Sequence, residues 1–252
     1  MEHTERFTVR AGSYVGGRPG YPGALGELLA ARGLLARPCA DVGAGTGLFT
    51  RSLLDAGATV RAVEPNAAMR AELERELGAA VRAGRLRVLP GSAEATGLDA
   101  TSVGLVACAQ SAHWFDPVRA GAEFRRVLAP GGSLLLVWND WRGSATDGFT
   151  RAYGEVVRRF SSTPAENATR VPLELVGQFF AGAPFEQLTF PNPTAFTLER
   201  LQALATSVSY LPAEGTPEQA EMRAALDAAF DGHQVGGAVT LEYVTHAFLG
   251  AL

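Results

Sequence analysis

The sequence predicts an α/β protein built on a doubly wound, mostly parallel β-sheet, and two observations support this prediction. Short apolar runs of strand length alternate with segments of helical periodicity up to Asp140. The apolar runs are almost uninterrupted, as expected of strands that helices cover on both faces. Because 47% of the 252 residues are hydrophobic, the chain can also bury a sizeable core.

Each element of the first half has a local signal. Apolar residues three and four apart mark the helices, and aliphatic runs bounded by turn residues mark the strands. Pro117 stands at the first position of a helix, where a missing N–H is tolerated, and the turn sequence Ala-Pro-Gly-Gly follows that helix. In chain order we predict a helix at 24–35, a strand at 39–42, a helix at 47–56, a strand at 59–63, a helix at 67–82, strands at 86–90 and 103–109, a helix at 117–128 and a strand at 133–138.

The second half has a looser pattern, since proline is frequent there. Helices are expected at 147–161, 172–181, 197–209 and 217–230, and strands at 185–196 and 238–249. We expect residues 141–252 to complete the sheet and add a helical cap. Together with a ligand-binding core at 1–140, they would form a single compact domain.

Charge and composition narrow the classes of function. The net charge is −4 and the pI about 5.6, whereas nucleic-acid-binding domains are usually basic. No apolar segment approaches the length of a membrane-spanning helix, and the polar N-terminus lacks a signal-peptide core. The two cysteines, Cys39 and Cys108, lie in apolar runs and are expected to be buried free thiols. We therefore expect a cytoplasmic protein without nucleic-acid or membrane partners. We also expect no metal site, since the sequence contains no Cys/His cluster.

A glycine-rich loop at Asp41–Gly47 follows the first predicted strand. It fails the dinucleotide fingerprint, because the third glycine would fall on Leu48 or Thr50, and it fails the P-loop pattern, because the chain has no lysine. Glu64 ends the next strand, where a carboxylate can accept hydrogen bonds from both hydroxyls of a ribose. A ribose site without a phosphate site indicates a nucleoside, and an acidic rim suits a positively charged one.

The chain resembles the class I methyltransferases that use S-adenosylmethionine. The blocks that carry this resemblance are DVGAGTG at 41–47, VEPN at 63–66, GSAEATGL at 91–98 and EFRRVLAPGGSLLLVW at 123–138. More narrowly, AQSAHWFD at 109–116 and the leader YVGGRPGYP at 14–22 are similar to a small-molecule branch that includes trans-aconitate methyltransferase-like proteins. The resemblance implies a seven-stranded Rossmann-like sheet, S-adenosylmethionine as cofactor with S-adenosyl-L-homocysteine as product, and a small-molecule acceptor, with a possible role in secondary metabolism.

The resemblance also implies which residues bind the cofactor. The backbone of the glycine loop would cradle its methionine part, Asp41 would position its amino group, and Glu64 would bind the ribose. Met69 would pack on the adenine or else belong to the helix core. The leader would fold over the cofactor, with Tyr14 and Arg18 near its carboxylate. The implied cofactor-binding residues are Tyr14, Arg18, Asp41, Gly43, Ala44, Gly45, Gly47, Glu64, Pro65, Met69, Ser92, Ala93, Glu94 and Gln110.

Recognition of the adenine departs from the family pattern at one position. Family members commonly have an acidic residue where Ser92 stands in this chain. Either the Ser92 hydroxyl or Glu94 with the Ala93 backbone would then bind the adenine amino group.

On the acceptor side, the resemblance places His113 and Trp114 in a loop facing the transferable methyl group. His113 is the candidate general base, since histidine titrates near neutral pH, and the alternative is that it shapes the pocket wall. Tyr21 and Trp138 are further candidates for contact with the acceptor, and residues 139–141 lie at the same edge of the sheet.

Two other functions remain open from the sequence. The fold can serve a reaction other than methyl transfer, such as a cyclisation, with the cofactor retained. It can also serve a non-catalytic cofactor-binding protein. The sequence does not identify the acceptor or the oligomeric state.

Overall fold

A seven-stranded sheet forms the centre of the protein. The structure is a computed structural model that describes residues 17–141, 148–162, 171–208 and 210–252. The strands are β1 Cys39–Val42, β2 Val60–Val63, β3 Leu86–Leu89, β4 Val103–Ala109, β5 Leu128–Asp140, β6 Glu186–Phe196 and β7 Val239–Ala251. Their order is β3-β2-β1-β4-β5-β7-β6, with β1 to β5 parallel and β7 antiparallel to both of its neighbours. This arrangement confirms the predicted doubly wound, mostly parallel sheet.

Helices cover both faces of the sheet. They are α1 Gly23–Ala31, α2 Leu48–Asp55, α3 Ala67–Glu76, α4 Gly78–Arg82, α5 Pro117–Val127, α6 Gly148–Phe160, α7 Leu173–Phe180, α8 Leu198–Ser207 and α9 Pro217–Asp231. One face packs against α1, α2 and α3 through residues such as Leu29, Leu53 and Leu73. The other packs against α5 and α7, where the rings of Phe124 and Phe179 stack 6.1 Å apart. Both faces of the sheet are therefore buried, which explains the nearly continuous apolar strands.

A third apolar core lies in the second half of the chain. It joins α6, α8 and α9 to the end of β6 and the start of β7, through residues such as Tyr153, Leu204, Leu226, Phe196 and Tyr243. We call these three helices the cap. Two of them begin at threonines, Thr197 and Thr216, whose side chains accept hydrogen bonds from backbone N–H groups of the first turn.

The structure differs most from the predictions at three places. The helix predicted at 67–82 is two helices, because the chain turns at Leu77, where φ is −111°. The helix predicted at 24–35 ends at Ala31, and Gly33 follows with a φ of +71°. The predicted turn at 129–132 lies within β5 as an irregularity, since Val103 pairs with Leu128 whereas Leu105 pairs with Ser133.

The topology places a ligand site at one edge of the sheet. The chain runs from β1 outward through β2 to β3, and then returns to the other side of β1 as β4. Open α/β sheets bind ligands at such a reversal, beyond the carboxyl ends of the strands. The segments that follow β1 and β4 begin at Gly43 and Gln110, so these two residues mark the expected site.

Candidate cofactor-binding site

The three glycines of the loop after β1 serve different purposes. All have positive φ, +71° at Gly43, +56° at Gly45 and +90° at Gly47, a conformation that side chains disfavour. A Cβ at Gly43 would lie 2.6 Å from the Cβ of Ser111, and one at Gly47 would lie 2.9 Å from Cγ of Leu73. A Cβ at Gly45 would enter open space. The first and third glycines thus allow close packing, while the middle one leaves the backbone accessible.

A cleft opens beside this loop, with an empty volume of about 510 Å³ that includes its open mouth. The ends of β1, β4 and β5 form one side, and the leader segment before α1 forms another. The lining residues are Arg18, Pro19, Tyr21, Asp41, Gly43, Ala44, Gly45, Thr46, Leu48, Phe49, Ala109, Gln110 and Asn139. The structure therefore brings six of the predicted cofactor residues together in one cleft, Arg18, Asp41, Gly43, Ala44, Gly45 and Gln110, whereas Gly47 and Glu64 lie outside its lining.

Asp41 provides a buried carboxylate in this cleft. It is 1% exposed, and Oδ2 accepts a 2.5 Å hydrogen bond from Oγ1 of Thr50. Among the described residues, Oδ1 has no hydrogen-bond partner. Burial raises the pKa of Asp41 from 3.8 to about 7, against the hydrogen bond from Thr50, and the nearby Glu64 raises it further. A buried carboxylate oxygen without a partner fits a cationic ligand such as an ammonium group.

Glu64 is held against the glycine loop by two backbone groups. Its Oε2 accepts from the Gly45 N–H at 3.0 Å, and Oε1 accepts from the Asn66 N–H at 2.9 Å. Burial raises the pKa of Glu64, and these two hydrogen bonds oppose the rise. Because each carboxylate oxygen has a second lone pair, the oriented group can still accept two hydroxyls. This is the acceptor geometry that a ribose requires.

The residues predicted to surround the adenine lie outside this cleft lining. Met69 is 5% exposed near the start of α3, and Pro65 is exposed. Ser92 forms an isolated bridge with Ala95, and the side chain of Ala93 is 2% exposed in the core against α5.

Glu94 accepts a hydrogen bond from the backbone. Its Oε1 accepts from the backbone N–H of Asp116 at 3.0 Å. Asp116 in turn caps α5 by accepting from the N–H groups of Val118 and Arg119. Glu94 therefore ties the loop after β3 to the segment that precedes α5.

Gln110 lies at the end of β4 with a φ of +53°, which is unusual for a residue other than glycine. Its Nε2 donates to the carbonyl of Asn139 at 3.2 Å, so the ends of β4 and β5 are joined at the cleft. Strained backbone of this kind often occurs at functional sites. Asn139 is 4% exposed and lines the cleft, as expected for this edge.

Two leader residues line the same cleft. Arg18 is half-buried, and its Nη2 donates to the Ser207 carbonyl at 3.4 Å. Tyr21, predicted to contact the acceptor, packs edge-on against Phe49 of α2 at 4.8 Å and faces the cleft of the glycine loop. Tyr14 lies outside the described residues.

His113 and Trp114 lie in a short 3₁₀ turn, Ala112–Trp114, with ring centroids 4.9 Å apart. Trp114 is 48% exposed. His113 is likewise exposed. Desolvation of its ring by nearby protein atoms, and then the positive charge of Arg18, lowers the pKa of His113 from 6.5 to about 4. The imidazole is therefore neutral at physiological pH.

Trp138 is placed differently from its prediction as an acceptor contact. It is 4% exposed and packs in the core, 6.0 Å from the ring of Phe248. Side chains alternate between the faces of a strand, so Trp138 and Asn139 point in opposite directions. Asn139 lines the cleft, whereas Trp138 packs in the core below α5 and α7.

Sequence reasoning missed several residues that shape the site. Thr50 fixes Asp41, Thr46 and Phe49 line the cleft, and Pro19 is buried in the leader. In the part of the chain that the structure describes, no group of three or more His, Cys, Asp and Glu side chains is placed to hold a metal ion. Within the same ranges, none of the helices has the length and apolarity to cross a membrane.

Comparisons with known proteins agree with this geometry. Residues 40–136 match a family described as "Methyltransferase domain". An uncharacterized methyltransferase of Mycobacterium tuberculosis is 40% identical over 167 residues, which cover 66% of this chain and 64% of that protein. This chain thus spans less than two thirds of that relative's length. An uncharacterized methyltransferase-like protein of Schizosaccharomyces pombe is 29% identical over 228 residues, covering 88% of this chain and 84% of that protein.

A solved structure from Anaeromyxobacter dehalogenans, assigned as a type II methyltransferase, has the same fold. Its TM-score is 0.60 at 22% identity, covering 92% of this chain and 97% of that chain. The fold, the cleft and the matched segment agree. Residues 40–136 thus match a methyltransferase domain, and the strand order and the cleft beside the glycine loop agree with a site for S-adenosylmethionine.

Proposed function

We propose that the protein transfers a methyl group from S-adenosylmethionine to an O, N or C atom of a small molecule. The observation that carries this proposal is the pair of buried carboxylates at the glycine loop. Asp41 has an oxygen without a partner among the described residues, and Glu64 is oriented by the Gly45 and Asn66 N–H groups. An ammonium and a ribose diol complement these two groups.

When bound, the cofactor would supply an electrophilic methyl group to an electron pair of the acceptor's O, N or C atom, and the bond from the methyl carbon to sulfur would break to leave a neutral thioether. The work of the protein is then mostly alignment, and orientation alone can contribute roughly 7–11 kcal/mol. Asp41 would hold the amino group, Glu64 the ribose and the Gly45 backbone the chain between them. The Pro65, Met69 and Ser92–Glu94 region, at the ends of β2 and β3, would border the adenine.

A small acceptor suits the other side of the cleft. Burial raises the pKa of Tyr153 and Tyr243, the Tyr210 phenol adds to both shifts, and the Arg18 charge opposes them. These two tyrosines thus lie within electrostatic reach of Arg18, which lines the cofactor cleft. The aromatic side chains that line the cleft itself, Tyr21 and Phe49, favour a small acceptor over a nucleic acid, as does the net charge of −4. The similarity of segments 14–22 and 109–116 to the small-molecule branch supports the same acceptor class.

His113 is the proposed proton acceptor for an acceptor molecule that must lose a proton. It is neutral at physiological pH, so one ring nitrogen is free to accept. Its low pKa makes it a weak base, which suits an acidic acceptor such as a phenol better than an alcohol. An acceptor that is already a carboxylate would need no base, and His113 would then only shape the pocket.

The experiment is a mass-spectrometric screen of acids, phenols and amines with S-adenosylmethionine. We expect one acceptor class to gain the mass of one CH₂ unit, with one S-adenosyl-L-homocysteine formed per product, and Asp41→Asn to lose this turnover. Product formation without a gain in mass would instead indicate a rearrangement on this fold. The proposal would be overturned if calorimetry detected binding of neither S-adenosylmethionine nor S-adenosyl-L-homocysteine to the wild-type protein.

A further inference from the structure

The leader segment forms one wall of the cofactor cleft. Two side-chain amides hold it in place by donating hydrogen bonds to the same backbone carbonyl. Nδ2 of Asn139 donates to the Gly20 oxygen at 3.0 Å, and Nδ2 of Asn192 donates to the same oxygen at 2.9 Å. Asn192 also donates to Oδ1 of Asn139 at 3.3 Å. Both hydrogens of the Asn192 amide are therefore in use.

The two residues beneath this contact, Asn139 and Thr245, are buried. Asn139 is 4% exposed and Thr245 is fully buried, and Oγ1 of Thr245 donates to Oδ1 of Asn139 at 2.6 Å. The backbone carbonyl of Asn139 accepts a hydrogen bond from Gln110, so this network of hydrogen bonds extends to the end of β4. Strands β4, β5, β6 and β7 thus all contribute to holding Gly20. A hydrogen-bond network with few unpaired donors and acceptors is stiff, because each group holds the next one in place.

The rest of the leader is held from the cap side. Nη2 of Arg200 donates to the Arg18 carbonyl at 3.2 Å, and Arg18 itself donates to the Ser207 carbonyl. A Cβ at Gly17 would lie 2.6 Å from the Leu204 backbone, so the leader also packs closely on α8. The leader is therefore held both at Gly20 and from the cap. Its residues Arg18, Pro19 and Tyr21 line the cleft.

We propose that Asn192 is a positioning residue for the cofactor. It does not line the cleft, yet through the Gly20 carbonyl it fixes the cleft wall formed by the leader, and so it slows cofactor release. Asn192 lies on β6, outside the matched segment 40–136, so the second half of the chain would contribute directly to cofactor retention. This inference rests on the proposed cofactor function of the cleft.

The experiment measures dissociation of S-adenosyl-L-homocysteine from full-length wild-type protein, Asn192→Ala and Asn192→Asp by rapid displacement. We expect both variants to release the nucleoside roughly fivefold to tenfold faster, as expected for the loss of one or two hydrogen bonds. Asn192→Asp conserves shape but places an acceptor against the Gly20 oxygen, so its effect should equal or exceed that of alanine. A role in packing alone would instead be spared by the isosteric aspartate.

A matched control is Gln187→Ala, which removes an exposed amide from the same strand. Hydrogen exchange of the backbone amides of Gly17, Arg18, Gly20 and Tyr21 in the nucleoside-bound protein should accelerate in both Asn192 variants and not in the control. Wild-type release rates and exchange in both variants would overturn this inference while leaving the proposed function intact. Absence of nucleoside binding by the wild-type protein would instead overturn the proposed function itself. Should Asn192→Ala fail to fold, Asn192→Asp decides the matter alone.

Discussion

Replacing Asp41 by asparagine should make the cofactor-free protein more stable and the cofactor complex weaker. In the folded protein, burial raises the pKa of Asp41 from 3.8 to about 7. A raised pKa means that the native state holds its proton more tightly than the unfolded state, so the free energy of unfolding falls as pH rises between these values. The shift of about 3 units, at about 1.4 kcal/mol each, sets a cost of roughly 4 kcal/mol above about pH 7. Below about pH 4 the cost is absent, because both states are protonated.

The same carboxylate should couple cofactor binding to pH. Only the ionised form attracts the ammonium group, and the ionised fraction of a group with a pKa of about 7 falls roughly tenfold from about pH 8 to about pH 6. The dissociation constant of wild-type protein for S-adenosyl-L-homocysteine should rise by that factor. Asp41→Asn should lose this dependence. It should also bind roughly 10- to 150-fold more weakly at about pH 8, since hydrogen bonds to charged groups contribute about 1.5–3 kcal/mol.

Calorimetry at several pH values and thermal melting with and without the nucleoside measure both effects. The control is Asp55→Asn, which neutralises an exposed carboxylate at the end of α2 and should change neither quantity. The reasoning is refuted if Asp41→Asn binds as tightly as wild-type protein, or if its unliganded melting temperature at about pH 8 drops well below that of wild-type protein.

Three further predictions concern the glycine loop, Glu64 and His113. Gly43→Ala and Gly45→Ala should both destabilise the fold, because both positions have positive φ. Gly43→Ala should cost about 1–3 kcal/mol more in urea titrations, because only its Cβ meets Ser111, whereas Gly45→Ala should also weaken nucleoside binding; equal effects on stability would contradict this difference. Glu64→Gln should raise the dissociation constant for the nucleoside roughly tenfold in calorimetry, because a carboxylate accepts ribose hydroxyls more strongly than an amide, and an unchanged constant would contradict the ribose assignment. His113→Gln should lower kcat by roughly 10²- to 10⁴-fold with a protonated acceptor while nucleoside affinity stays constant, and wild-type kcat should be flat around neutral pH, since the pKa of His113 is about 4. An unchanged kcat would assign His113 to the pocket wall.

The parts of the fold that the sequence predicted well are those specified by local pattern. Strands β1, β2 and β4 fall within a residue of their predicted bounds, because buried parallel strands are short apolar runs that end at turn residues. Asp41 and Glu64 could be placed at one edge of the sheet, because Asp41 is the last residue but one of β1 and Glu64 directly follows β2. The break at Leu77 could not be predicted, since apolar periodicity continues across it.

What the sequence could not predict depends on side-chain direction and on contacts between distant segments. Trp138 and Asn139 are neighbours, and only the pleat of β5 decides that one enters the core and the other the cleft. Asn139 is 53 residues from Asn192 and 106 from Thr245, so their network depends on the pairing of β5, β6 and β7. No local signal marks an asparagine on a proline-containing strand as part of a binding site.

A crystal structure of the protein with S-adenosyl-L-homocysteine tests the cofactor assignment most directly. We expect the amino group of the nucleoside within hydrogen-bond distance of Asp41 Oδ1, and both ribose hydroxyls on Glu64, under a leader still held by Asn139 and Asn192. A nucleoside bound elsewhere, or one whose ribose points away from Glu64, would contradict the assignment of this cleft.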